Sequence, residues 1–326
     1  MFTILKRIGL DGFLLSLIGA VLLAIVWPEL GRSGGLIQLQ HFANYGVAIV
    51  FLLYGLTLSP QKIREGVFNW RLHVVVQLAT FLLFPLLVLG CLWALGARVP
   101  AEMALGFFYL AALPSTVSSS VAMTSIAKGN VPGAIFNASL SSLLGVFVTP
   151  LWVNTYLNSQ GVGFPLGPVV LKIVLLVLAP IVVGQLLRPW LVSWLNRHAV
   201  LTKLMDRTTI LAIVLNSFSD SVAEGVWSSH STAALAGMAA ASLVLFVLVS
   251  LLMWAGCRAL GFNREDNIAG VFCGSKKSLA AGVPMAKVMF GANPAIGLII
   301  APIMLYHFLQ LVIVSVVARR LGARVS

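Results

Sequence analysis

Two short stretches of this sequence hold most of its chemistry. The first reads Pro114-Ser115-Thr116-Val117-Ser118-Ser119-Ser120, followed by Met123-Thr124-Ser125. The second reads Cys273-Gly274-Ser275-Lys276-Lys277-Ser278, followed by Gly282-Val283-Pro284. Each lies inside a long apolar run, where hydroxyls, glycine and proline make sense if a helix unwinds. The N–H and C=O groups freed there must bond side chains, water or a ligand. A half-helix that resumes after such a break presents positive dipole and unpaired N–H groups, suited to an anion. The half-helix before it ends in carbonyls, suited to a cation. Ser115, Thr116, Ser118, Ser119, Ser120, Thr124, Ser275, Lys276, Lys277 and Ser278 are therefore candidate substrate- and ion-binding residues. The competing reading is that Ser and Thr glue helices together and proline merely kinks one. Ser119 and Ser278 are 159 residues apart, the spacing of an internal repeat, and two matched stretches favour a binding site over glue.

The two lysines sharpen this. An ammonium at mid-membrane is costly and reads as functional by default. Lys276 and Lys277 lie about ten residues into their span, too deep to snorkel comfortably. Neighbouring helical residues point about 100° apart, so one lysine is expected at the centre. Lys276 is the favoured one, with Lys277 turned toward the substrate cavity or the domain interface. Asn137 and Ser141 share a helix face by i, i+4 spacing and can point the same way. Lys172 reads as a snorkelling residue, His307 as an interhelical hydrogen-bonder, and Asp220 with Glu224 as a solvated helix end. The histidines at 41, 73, 198, 230 and 307 are scattered, and no HExxH or GxSxG motif occurs, so no enzyme is expected. Cys91, Cys257 and Cys273 form no CxxC pair and read as small buried residues.

These residues need a scaffold, and composition supplies it. The chain of 326 residues is 60% hydrophobic and 9% charged, with mean hydropathy +1.01; soluble domains carry about a quarter charged residues. Ten spans are expected near 12–28, 39–58, 73–96, 102–127, 132–157, 166–187, 208–225, 232–257, 267–289 and 294–319. Lys6 and Arg7 ahead of the first run read as its flank rather than as part of a signal peptide. Fifteen Lys and Arg fall in the loops of one side, three (Arg32, Arg98, Lys287) on the other and three within spans. That bias predicts both termini in the cytoplasm and explains the net charge of +12 without nucleic acid. A loop at 161–168 leaves five spans on each side. An odd number per half inverts one half relative to the other, as in many secondary transporters. Thus 1–326 reads as one transmembrane transporter domain, with repeat one about 1–160 and repeat two about 161–326. The openings Gly129-Asn130-Val131-Pro132 and Gly291-Ala292-Asn293-Pro294 echo each other across the halves.

From Leu113 through Asn130, and again from Cys273 through Ala280, the sequence resembles the bile acid:sodium symporter superfamily (solute carrier family ten). It is particularly similar to the branch of sodium/bile acid cotransporter seven and its bacterial relatives. The resemblance spans essentially the whole chain. It implies a core domain with crossing discontinuous helices four and nine, a smaller panel domain, and a substrate between them. Sodium-coupled members carry a Glu in the ninth helix followed by sodium-ligating polar residues. Here Phe272 to Ser278 has no carboxylate and offers Lys276 and Lys277 instead. Ser119-Ser120 correspond to the family's fourth-helix Ser-Asn pair, and Gln77 to a polar third-helix residue near a second sodium. The expected function is alternating-access transport of an organic anion, a bile-acid-like or other amphipathic carboxylate or sulfonate, sodium-coupled as in the family. The departure opens alternatives: proton-coupled or uncoupled transport with a lysine in the sodium position, or a membrane regulator that no longer transports. No cofactor is expected beyond Na+ or H+ as coupling ion. The expected partners are the anion and the lipid bilayer, and the expected location is a bacterial inner membrane.

Overall fold

The computed structural model describes residues 12–35, 37–57, 68–161, 166–225, 228, 231–291 and 293–323. Lys6, Arg7, Lys62, Arg64 and Arg324 of the charge pattern, residues 162–165 of the boundary loop and Ala292 lie outside the described residues, as does the side chain of Ser118. The described secondary structure is helical throughout, with no strand. Helices stand at all the expected spans. They are α1 (Gly12–Val26), α2 (Leu39–Thr57), α3 (Trp70–Leu95), α4 (Ala101–Ala112), α5 (Ser118–Ile126), α6 (Val131–Ser159) and α7 (166–197). They continue as α8 (Ala199–Ala223), α9 (Thr232–Ala259), α10 (Arg264–Gly274), α11 (Leu279–Phe290) and α12 (Ile296–Ala323). Among them α2, α3, α6, α7, α9 and α12 are long and apolar enough to cross a membrane. Their outward residues, such as Trp93, Trp190, Leu186, Val244 and Leu251, are large, apolar and exposed, as lipid-facing positions are.

The seventh span begins earlier than its hydropathy suggests. α8 runs back through Arg207 to Ala199, because basic residues are good helix formers even where they end an apolar window. α1, α2, α7 and α8 pack together. Gly55 of α2 and Gly184 of α7 let these backbones touch, since a Cβ on either would meet the other helix's main chain. The remaining helices pack around the interrupted pairs α4–α5 and α10–α11, and α8 joins the two groups by packing on α11 and α12.

Both interruptions have local causes. Pro114 disfavours helical backbone at the residue before it, and Leu113 is extended at φ −70°, ψ 153°. The second break follows Gly274. The chain re-enters helix at Ser278, whose Oγ caps α11 by accepting from the Ala281 N–H at 3.2 Å. The echoed loops also do the same job twice. Asn130 caps α6 by accepting from Gly133 N at 2.8 Å, and Asn293 accepts from Ala295 N at 2.8 Å just ahead of α12.

Candidate functional site

The two breaks touch. The Ser278 N–H donates to the Pro114 carbonyl at 2.9 Å, joining the loops backbone to backbone. The first break then takes up the last carbonyls of α10. Ser115 Oγ donates to Cys273 O at 2.5 Å and Ser120 Oγ to Phe272 O at 3.0 Å. Thr116 Oγ1 sits 2.8 Å from both Ser119 Oγ and Ser120 Oγ, closing a hydroxyl cluster at the start of α5. Ser141 Oγ accepts from Ser115 N at 2.9 Å, so α6 supports the break. Gly145 allows this approach, because a Cβ there would press into the Pro114 ring.

Both lysines are fully buried. Lys276 Nζ donates to Ser119 O at 3.0 Å, with the Phe272 ring centroid 5.6 Å away. Lys277 reaches the other way. Its Nζ donates to Thr80 O at 2.8 Å, Ala111 O at 2.6 Å and Leu113 O at 2.7 Å, with the Phe84 ring centroid at 4.1 Å. Its main chain is clamped by Gln310, whose Oε1 accepts from Lys277 N at 3.0 Å and whose Nε2 donates to Lys277 O at 2.9 Å. This corrects the expectation that Lys276 alone enters the centre while Lys277 faces a cavity or domain interface. The loop is not helical at 276–278, so the 100° argument does not hold there, and the side chains diverge toward opposite ends of the first break.

The acceptors around Lys277 are oxygens that the helices have released. In α3 the backbone widens into a π-turn over Ala79–Leu83, where Phe84 N bonds Ala79 O. Continuing that register would need an N–H from Pro85 for Thr80 O, and proline has none, so Thr80 O turns to Lys277. The Phe81 carbonyl, the ordinary helical acceptor for residue 85, is taken by the Trp152 indole N–H at 2.8 Å. Ala111 and Leu113 lie at the end of α4, and Ala112 O between them accepts from Thr149 Oγ1 at 2.7 Å.

Other expected site residues are placed differently. Gln77 Nε2 donates to Asn137 O at 3.1 Å and lies 3.4 Å from its Oδ1, while Asn137 Nδ2 donates to Gly133 O at 3.0 Å. Among the described residues neither bonds a break. Thr124 is buried with its hydroxyl unpartnered, and so is Gln77 Oε1. Ser275 Oγ bonds back to Val271 O at 2.7 Å. Sequence reasoning missed Tyr306, which donates to Ser275 O at 2.6 Å, and Gln310. A lone Gln deep in an apolar span was signal enough for the second. Asp220 and Glu224 stand at the end of α8, where Glu224 is exposed and Asp220 accepts from Ser33 through N at 2.6 Å and Oγ at 2.9 Å. A shallow apolar pocket between α2 and α7, lined by Ala48, Leu52, Leu175 and Val183 among others, includes no residue of either break.

The family profile described as the SBF-like CPA transporter family matches residues 11–323. Protein PA2026 of Pseudomonas aeruginosa is 44% identical over 314 residues, covering 96% of this chain and 93% of its own length. YfeH of Escherichia coli is 40% identical over 311 residues, covering 95% and 92%. Sodium/bile acid cotransporter 7 of Rattus norvegicus is 27% identical over 323 residues, covering 96% and 93%. With the apolar helices, these matches make the chain an integral membrane protein of a transport family.

Proposed function

The chain belongs to the SBF-like CPA transporter family, and we propose that it carries an organic anion across the membrane by alternating access. The observation that carries this reading is the contact between the breaks, with Lys276 laid against the start of α5. The first turn of α5 has N–H groups without helical acceptors and the positive end of a dipole. An ammonium beside it adds charge of the same sign, an arrangement that favours an anion over a cation. Among the described residues Lys276 meets one acceptor, Ser119 O, which leaves N–H donors for a carboxylate or sulfonate. Thr116 and Ser119 supply hydroxyls, and Ser119 is half-buried where Thr116 and Ser120 are buried. Ser120, Thr124, Ser275 and Ser278 complete the proposed surroundings, with Asn137 and Gln77 behind them.

In this reading the whole chain is one transporter domain of ten spans in two inverted halves, and the interrupted spans are α4–α5 and α10–α11. The Lys and Arg bias puts both termini in the cytoplasm. The bacterial relatives favour an inner membrane, and the cotransporter named for bile acid favours an amphipathic anion as substrate. The test is thermal stability and liposome uptake of purified protein across amphipathic carboxylates and sulfonates. A ligand of the folded state raises the melting temperature by mass action. Lys276→Met and Thr116→Val should lose that shift and the uptake while folding normally. A shift unchanged in both variants would move the site elsewhere.

A further inference from the structure

We propose that the Lys277 ammonium is a tethered cation that fills a carbonyl cage beside the two breaks, so that the protein moves its anion without an inorganic cation in that place. The inference rests on the transport reading, but the cage can be tested without any substrate. Three carbonyl oxygens within 2.8 Å of one nitrogen need three N–H bonds. Only the protonated amine has three. The ring face of Phe84 at 4.1 Å closes the remaining side with further attraction for positive charge. Nothing in this cage is a spare part of a regular helix. Thr80 O is released by the π-turn and Pro85, and Ala111 and Leu113 lie at the negative end of α4.

Oxygens released at a helix end and turned onto one point are the ligand set of a hard monovalent cation, and here the chain brings that cation itself. Among the described residues the one ion pair is Arg32 with Glu29, so no carboxylate neutralises Lys277. Its charge is met by carbonyl dipoles and an aromatic face alone. A sodium ion reaching these oxygens would meet an ammonium already bonded to them. The rival reading is that Lys277 is only a staple joining α3, α4 and the second break, its charge incidental.

The experiment uses the full chain, purified and in liposomes, with sodium, potassium or choline chloride as the salt. For the unmodified protein the melting temperature and the uptake should be the same in all three; a rise specific to sodium overturns the proposal. Lys277→Ala empties the cage of its charge but leaves its oxygens. Its melting temperature should rise with ethylammonium or sodium and not with choline, and uptake, reduced about tenfold or more, should recover with ethylammonium. Lys277→Met keeps the length and the packing without the charge. Wild-type uptake by Lys277→Met, or a Lys277→Ala protein indifferent to both small cations, would establish the staple. If no anion is transported by the unmodified protein, the transport reading fails, and the melting arms still decide whether the cage is a cation site.

Discussion

At the first break two of the carbonyls released by a helix end are held by a lysine; at the second they are held by hydroxyls and an amide. Ala111 O and Leu113 O accept from Lys277, and Ala112 O from Thr149. Phe272 O and Cys273 O accept from Ser120 and Ser115, Ser275 O from Tyr306, and Lys277 O from Gln310. Both breaks answer the same demand, because a freed backbone group at membrane depth costs several kcal/mol unless it is bonded. They answer it with different charge. Hydroxyls and an amide satisfy oxygens without fixing a field, so the second break is geometry. The Lys277 ammonium proposed above satisfies them and also adds positive charge, so in that reading the first break helps to set what can enter.

The largest effect should come from the second break, where one side chain bonds both the N–H and the C=O of a single buried residue. Gln310→Leu removes both bonds to the Lys277 main chain and strands a buried N–H and a buried C=O. At about 1–3 kcal/mol for each stranded group, the loss is about 2–6 kcal/mol. It should appear as a much lower melting temperature and poor yield. A Gln310→Leu protein that melts like the unmodified one would mean that the loop 275–278 does not depend on this clamp. The first break should give a smaller effect of another kind. Gly145→Leu drives a side chain into the rigid Pro114 ring, and overpacking of this sort costs about 1–3 kcal/mol. Gly145→Ala should fall between the two proteins in thermal melting. If both substitutions are silent, α6 does not brace the first break as closely as the geometry requires.

Much of this was legible in the sequence, and the parts that were not share a cause. Pro114, the serine run and Gly274 announced the breaks because they are side-chain chemistry, readable one residue at a time. Thr80, Ala111 and Leu113 announced nothing, because each contributes a main-chain oxygen that any residue would have supplied. Their availability is set by Pro85, five residues beyond Thr80, and by Pro114 at the end of α4, and their convergence by packing. The choice between Lys276 and Lys277 was illegible for the same reason: helical spacing is no guide where the chain is not helical. The partner of Asp220 was illegible because Ser33 is 187 residues away in sequence.

The smallest predicted effect concerns the far ends of the two interrupted spans, which differ as the breaks do. After α5, Arg264 bonds Ala127 O at 3.3 Å and Leu321 O at 2.7 Å, and Asn130 Nδ2 donates to Asp266 at 2.6 Å. All of these partners belong to the group that surrounds the breaks. After α11 the ties run to the other group. Lys287 Nζ donates to Asn216 Oδ1 of α8 at 2.8 Å, Asn216 Nδ2 donates to Gly31 O at 2.9 Å, and Ser221 Oγ donates to Pro294 O at 2.8 Å. A transporter that rocks one group against the other must part such ties in one of its states, so they are expected to be real but weak. Residues in contact usually couple by about 0.5–3 kcal/mol, whereas independent ones add within about 0.5 kcal/mol. Lys287→Met, Asn216→Leu and the double variant, compared by thermal melting, should place this pair near the lower end of the coupled range. Additive losses would mean that Lys287 and Asn216 act separately and that Ser221 alone holds the groups together at this end. Coupling as strong as the effect of Gln310→Leu would contradict the proposed motion, because a joint that firm belongs inside a rigid body rather than between two that move.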